Sequence, residues 1–347
     1  MRIPTPIQAL SAAAALALLA GCSSGSAVAP GTQLQSHARS MSHGSSMANP
    51  VGQLKLSQHP ASSKHIASYD SCPASGTLEY VSDASNGAVD IFAGGFTSGQ
   101  TPCGVISGLS EPQGLAVHKH KLYVANTTGL DVLRFPRGST TPDQTYVDSS
   151  CSGQYPADVT VDKHGVVMAT NIISNACSGG GMSTWTAGGT LIGTFPNSAG
   201  ANSYFLTVQK NDTVYYDDNT FSIYKVSCPA GACTAATSTG ATMAFPGGLR
   251  SATGEDVVLD DQSAAGGGAL TTFETFPSSS ASCPLGGSDP VSYDLNKTDK
   301  KAFFADAGNF VATEVKYNDG SNVCANVASV TMSGQPIGVA VDAPGGL

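Results

Sequence analysis

Six residues stand one place ahead of a repeated segment that opens on proline in five of its six copies: Glu111, Tyr155, Asn202, Phe245, Asp289 and Gln335. Three of them, Glu111, Asn202 and Asp289, fall in every second copy. Two carboxylates and a carboxamide are hard-oxygen donors of the kind Ca²⁺ accepts, with waters completing a shell of about six to eight. An ion held this way polarises a carbonyl or activates water. The competing use is plain loop capping towards solvent. Ca²⁺ is therefore the one cofactor these residues suggest, and no catalytic residue can be named. His118, His120 and His164 fall at expected strand ends, where a solvated turn is the simpler role. Gly179-Gly180-Gly181 and Gly266-Gly267-Gly268 precede expected strands, so neither has a helix N-terminus with which to cradle phosphate.

A set spread this widely converges only if a repeating fold brings it together. A strand ending in a polar residue occurs six times: Glu79 to Asp83, Leu122 to Asn126, Val167 to Asn171, Val214 to Asp218, Val257 to Asp261 and Phe303 to Asp306. The stops are 43 to 47 residues apart, close to the length of a four-stranded propeller blade. Asx side chains at such stops bond turn amides. Third strands follow several stops, as in Ala88 to Phe92 and Ser222 to Val226, and their alternation predicts one core face and one outward face.

The second repeated unit precedes each of the last five strands, and the copy missing from the first blade stands at the other end of the chain as Pro336 to Asp342. The expected fold is all-β: a six-bladed β-propeller of four-stranded blades, closed by the C-terminal strand pairing with the first blade near Tyr80, which removes an exposed edge. A β-sandwich would not need six matched anchors and a displaced half-unit. Forty glycines, nineteen prolines and only 12% charged residues agree with short strands and frequent turns.

The run Pro112-Gln113-Gly114-Leu115-Ala116-Val117 followed by Lys121-Leu122-Tyr123-Val124-Ala125-Asn126, echoed at Pro336 to Asp342, resembles NHL-repeat propellers and their relatives in the senescence-marker/gluconolactonase superfamily. The likeness covers about residues 71 to 347, is plain in blade 2 and the closing strand, and fades in blades 4 and 5. It implies either a binding scaffold or a divalent-metal-dependent lactonase or esterase-like hydrolase. In the latter, Glu, Asn and Asp near the axis hold the ion, roles that would fall on Glu111, Asn202 and Asp289. The Glu-Gly-Pro context of those enzymes is replaced by Ser110-Glu111-Pro112-Gln113, and no second Asn ligand or general base can be placed. The sequence thus favours the non-catalytic scaffold, with a Ca-type hydrolase as the alternative.

At the start of the chain, Arg2 precedes an apolar run, Leu10 to Ala20, too short to span a bilayer. It ends in Leu19-Ala20-Gly21-Cys22, which resembles the bacterial lipobox. Residues 1–21 read as a lipoprotein signal peptide and Cys22 as the lipidated residue. Ser23 rather than Asp follows, as in Gram-negative lipoproteins sorted to the outer membrane. Residues 22–70, rich in Ser, Ala, Gly, Gln and His, read as a flexible tether, leaving 71–347 for the propeller. The expected address is the cell envelope, in the outer membrane facing the periplasm or the cell surface. The expected body is a monomer whose partners are the membrane, through Cys22, and a protein, glycan or small molecule.

Setting Cys22 aside leaves eight cysteines, an even number suited to an oxidising compartment. Cys228 to Cys233 is a self-contained turn, and chain neighbours suggest pairing Cys72 with Cys103, Cys151 with Cys177, and Cys283 with Cys324. A net charge of -9 without any dense Lys/Arg run argues against nucleic acid.

Overall fold

The computed structural model describes residues 68–69, 71–150, 154–174, 180–197, 201–253, 255–264, 267–317 and 323–343. The signal-peptide assignment, and Cys22, Cys151 and Cys177, lie outside them, as does the expected tether except Ser68, which bridges to Val105, and Tyr69, whose hydroxyl bonds that of Tyr80. Six four-stranded antiparallel sheets account for the body. Blade 1 runs from β24 (Pro336–Asp342) at the axis through β1 (Leu78–Asp83) and β2 (Ala88–Ala93) to β3 (Gly104–Ser107). Blade 2 holds β4 (Pro112–His118), β5 (Lys121–Asn126), β6 (Asp131–Pro136) and β7 (Gln144–Tyr146). Blade 3 holds β8 (Gln154–Val161), β9 (Val167–Ser174), β10 (Gly181–Trp185) and β11 (Leu191–Pro196). Blade 4 holds β12 (Ser203–Val208), β13 (Thr213–Asp218), β14 (Ser222–Ser227) and β15 (Thr237–Thr242). Blade 5 holds β16 (Leu249–Ser251), β17 (Val257–Asp261), β18 (Ala269–Phe273) and β19 (Ala281–Pro284). Blade 6 holds β20 (Pro290–Leu295), β21 (Lys301–Asp306), β22 (Val311–Lys316) and β23 (Ala325–Thr331).

The first strand of each sheet touches its counterparts in ring order, β4 with β8, then β12, β16, β20, β24 and back to β4. This is the six-bladed propeller expected from the repeat. β24 pairs antiparallel with β1, placing Ala340 opposite Tyr80 and Val339 opposite Val81, so the two ends of the body share one sheet. Two side chains of blade 2 hold the end of that strand: His120 Nδ1 and Arg137 Nη1 each lie 2.7 Å from the buried Asp342 carboxylate. His120 is therefore a tether on the closure rather than a free turn residue.

Each second strand lies between two neighbouring blades and is apolar on both faces, as parallel-sheet strands are when both sides are covered. In β1, Leu78 and Tyr80 join the core shared with blade 2, while Val81 joins the core shared with blade 6. The same sandwiching corrects the expectation for third strands. β2 and β22 are buried on both faces, and in β14 the two buried residues, Ile223 and Val226, are three apart and join different cores. Solvent exposure moves to outer strands such as β15 and β23.

The polar stops serve turns in five blades. Asp83 accepts the Asn86 amide, Asn126 that of Ser110, and Asp218 that of Thr220. Asp261 takes the Ala244 and Phe245 amides, and Asp306 those of Ser288 and Asp289. Asn171 departs from the pattern by donating to Ser183. Disulfides join Cys72 to Cys103, Cys228 to Cys233 and Cys283 to Cys324, three of the four expected pairs. They suit an oxidising compartment outside the cytosol.

Candidate functional site

The inner strands determine what the axis can hold. The second residues of the repeated unit that leads along them are Gln113, Ala157, Tyr204, Gly247, Val291 and Ile337. Four of these, Ala157, Tyr204, Val291 and Ile337, join Leu249 in a single apolar cluster drawn from the inner strands of five blades. A cluster with that membership lies across the axis. Arg250, the one Lys or Arg on any inner strand, completes the closure. Its Nη1 donates to Asp158 Oδ2 of blade 3 at 3.2 Å, and its Nη2 donates to the Leu115 carbonyl of blade 2 at 3.2 Å. Its Nε lies 3.6 Å from Asp294 of blade 6. The two acids carry the network onward: Asp158 accepts the Leu206 amide of blade 4, and Asp294 accepts the Val341 amide of the closing strand. One guanidinium thereby links all six blades.

Burial raises Asp158 and Asp294 above the usual carboxylate range, and the Arg250 charge offsets part of that rise. Burial pulls Arg250 down, but the two carboxylates outweigh it and hold the guanidinium charged. Gly114 is required beside this network, because a Cβ there would stand 2.1 Å from Asp158 Oδ1.

The mouth formed by the starts of the inner strands carries the six residues singled out from the sequence. Glu111 precedes β4, Asn202 precedes β12 and Asp289 precedes β20, in blades 2, 4 and 6. Tyr155 lies just inside β8, Phe245 precedes the short β16 by a turn, and Gln335 precedes β24. Asp289 is buried and the other five are half-buried.

Glu111 adopts a left-handed backbone, φ 50°, uncommon outside glycine. Its Oε2 is buried without a hydrogen-bond partner, and burial pushes its carboxyl up to about 7 against a Thr128 hydrogen bond. Asp289 Oδ2 is likewise buried and unpartnered, and burial together with the Asp306 charge pushes that carboxyl up to about 7. The Asn202 side chain is engaged by the Tyr204 hydroxyl. Tyr155 packs on the axial apolar cluster, and the Phe245 ring lies 6.0 Å from that of Phe221. Among the described residues no hydrogen bond joins Glu111, Asn202 and Asp289 to one another.

The sequence pointed to the mouth and missed the axis. Two signals for the axis were present: a lone arginine on an inner strand, and an aspartate at position 158, where blade 2 and the closing strand have Gly114 and Gly338.

No protein-family model matches the chain, and no curated protein matches it. Solved structures do. The chain superposes on one from a nidogen/laminin complex with a TM-score of 0.57 at 11% identity, covering 77% of this chain and 98% of that one. A protein of unknown function from Bacteroides caccae gives 0.54 at 9% identity, covering 77% and 99%. A candidate 6-phosphogluconolactonase from Bacteroides fragilis gives 0.51 at 11% identity, covering 77% and 84%. At such identities what these proteins share with this chain is the propeller fold.

Proposed function

We propose that the protein is an exported, lipid-anchored propeller that binds a small hydroxyl-rich ligand at the mouth bearing Glu111 and Asp289, without chemical turnover. The observation that carries this reading is the pairing of a closed axis with unpartnered acceptors above it. The apolar cluster and Arg250 give the mouth a rigid floor, while Glu111 Oε2 and Asp289 Oδ2 find no donor within the described protein. Buried acceptors left without partners cost free energy, and ligand hydroxyls supply the missing donors. Tyr155 and Phe245 offer ring surface alongside. A panel of mono- and disaccharides and peptidoglycan fragments, screened by thermal shift and calorimetry, tests it. Binding that weakens at least tenfold in Glu111→Ala supports the reading; binding indifferent to that change defeats it. The address is tested separately by the mass of the N-terminal peptide, which carries a diacylglyceryl group on Cys22 in the proposal.

A second reading draws on the same oxygens. Glu111 and Asp289 fit a hard divalent ion, whereas Asn202 is already engaged by Tyr204. When bound, Ca²⁺ would supply Lewis acidity for lactone or ester hydrolysis. Glu111 and Asp289 would hold it, and the closed axis would keep substrate at the mouth. Hydrolysis of simple lactones that depends on added Ca²⁺ and is lost in Glu111→Gln would favour this reading over the first.

A further inference from the structure

Fourteen buried side-chain atoms lack a hydrogen-bond partner among the described residues, and five of them flank the junction of blades 5 and 6: both oxygens of Asp260, Gln262 Oε1, Asp289 Oδ2 and Ser292 Oγ. Asp260 and Ser292 are fully buried, Gln262 is 4% exposed and Asp289 6%. Asp260 lies on the same face of β17 as Val258, which shares an apolar cluster with Tyr293 and Phe304 of blade 6 and whose carbonyl accepts the Tyr293 hydroxyl at 2.8 Å. That alternation directs Asp260 towards blade 6, the blade that carries Asp289 and Ser292; Gln262, just past the end of β17, donates its Nε2 to the Pro246 carbonyl and leaves its Oε1 without a partner.

Comparison with other blades shows why Asp260 has nothing to bind. In the two other blades with a side-chain acceptor aimed at this amide, the same position bonds the amide of its own inner strand. Ser82 accepts the Gly338 amide at 2.7 Å, and Asp217 accepts the Phe205 amide at 2.8 Å. In blade 5 the corresponding amide, that of Gly248, is drawn across to the Val291 carbonyl of blade 6 at 3.0 Å. Glycine permits the crossing, since a Cβ on Gly248 would stand 3.0 Å from Ser292 Cα and 3.1 Å from Ser292 Oγ. The chain thus gives up the donor that Asp260 would have used, and the Ser292 hydroxyl beside Gly248 does not replace it.

The local charge is uncompensated. Asp261, Asp289 and Asp306 surround Asp260, and burial together with these charges raises its carboxyl well above the ordinary range. Asp306 is fully occupied by the amides of Ser288, Asp289 and Asn309 and by the Asn309 side chain. Arg250 is spent on Asp158 and Asp294. Among the described residues no three His, Cys, Asp or Glu side chains converge on a metal position, so a cation here draws on two carboxylates and neutral oxygens.

We propose that Asp260, Asp289, Gln262 and Ser292 form a calcium site that fastens blade 5 to blade 6. Two carboxylates match the charge of a divalent ion, and five oxygens with added water fill the shell of about six to eight that Ca²⁺ takes. The site shares Asp289 with the mouth but needs neither a ligand nor turnover there.

The test uses the full chain purified in detergent and stripped with EDTA. Titration with CaCl₂ binds one equivalent and raises the melting temperature by about 5 °C at saturation. Asp260→Asn abolishes both effects, whereas Glu111→Gln leaves both intact; an ion held at the mouth by Glu111 and Asp289 would give the reverse pattern, and that pattern overturns the seam site. Glu111 belongs to the mouth alone, so loss of saccharide binding in that variant with Ca²⁺ binding retained separates the fate of the two readings. Asp260→Asn also has an informative sign. Without metal it removes a buried unpaired carboxylate and melts no lower than the parent; in excess Ca²⁺ the order inverts. Calcium that leaves the melting temperature of the parent unchanged, or that binds Asp260→Asn equally well, overturns the proposal.

Discussion

Arg250 of blade 5 and Asp158 of blade 3 are 92 residues apart in the chain and meet at the axis, with Nη1 and Oδ2 at 3.2 Å. The ring is thus joined twice, once at its rim by the β1–β24 pairing and once at its centre. The central join also makes the propeller a closed disc beneath the mouth.

Removing one partner of this join is costly because the other stays buried and charged. Arg250→Leu should destabilise the fold by about 3–5 kcal/mol, a fall in melting temperature on the order of 10 °C. Adding Asp158→Leu should recover part of that loss, since the orphaned carboxylate goes with it. Urea unfolding of the two single variants and the double variant gives the coupling directly.

Close approach of the inner strands gives a second prediction. A Cβ on Gly338 would stand 2.2 Å from the Gln113 carbonyl, backbone against backbone with no flexible side chain to yield. Gly338→Val should therefore cost about 1–3 kcal/mol or more. Gly188→Ala, which would meet only the Thr186 hydroxyl at 3.9 Å, should stay within about 0.5 kcal/mol. Thermal unfolding of both variants checks the contrast.

Much of this was legible in the sequence. The spacing of Asp83, Asn126, Asn171, Asp218, Asp261 and Asp306 counted the blades, and Pro336 to Asp342 supplied the missing inner strand. What repeats is readable because each copy reports on the others. The axial network was not, for two physical reasons. Five of the six inner strands, β4, β8, β12, β20 and β24, shift register against their neighbours near their starts, so alternation no longer tells which side chain faces the axis. Arg250 and Asp158 also occupy different places in their repeats, so no comparison of copies pairs them. Asp260 falls inside the repeated strand Val257 to Asp261, and its missing donor shows only in the fold, where Gly248 bonds across to blade 6.

Acid should stabilise the seam between blades 1 and 6. Glu79 is 1% exposed with neither oxygen partnered, and burial, reinforced by the Glu314 charge, pushes its carboxyl up to about 7. Lys301, which faces the same group, is paired with Glu314 at 2.6 Å. A carboxyl raised from 4.5 in the unfolded chain favours folding most below that value. Its contribution fades as pH climbs from about 4.5 to 7 and is constant above. The loss across that window is on the order of 3 kcal/mol. Glu79→Gln should remove this dependence and be the more stable protein at pH 8, a difference that chemical denaturation at pH 5 and pH 8 measures.

The cysteine pairing predicts that non-reducing peptide mapping recovers, among the described cysteines, Cys72 with Cys103, Cys228 with Cys233, and Cys283 with Cys324 as cross-linked species. Cys283→Ser with Cys324→Ser should cost about 2–4 kcal/mol, because that bridge closes a loop of 41 residues. Opening the five-residue Cys228–Cys233 loop should cost less. Melting of each double variant under oxidising conditions ranks them.

The closed axis is tested most directly at Arg250 itself. In nitrogen-15-labelled protein the Arg250 Nε–H resonance, assigned by its loss in Arg250→Leu, should persist at pH 8 and exchange with solvent far more slowly than in a free arginine. It should also shift in Asp294→Asn, whose side chain replaces the carboxylate 3.6 Å away. A resonance that exchanges as fast as that of a solvated arginine, and ignores Asp294→Asn, would mean that the guanidinium stands in water and that the axis is open.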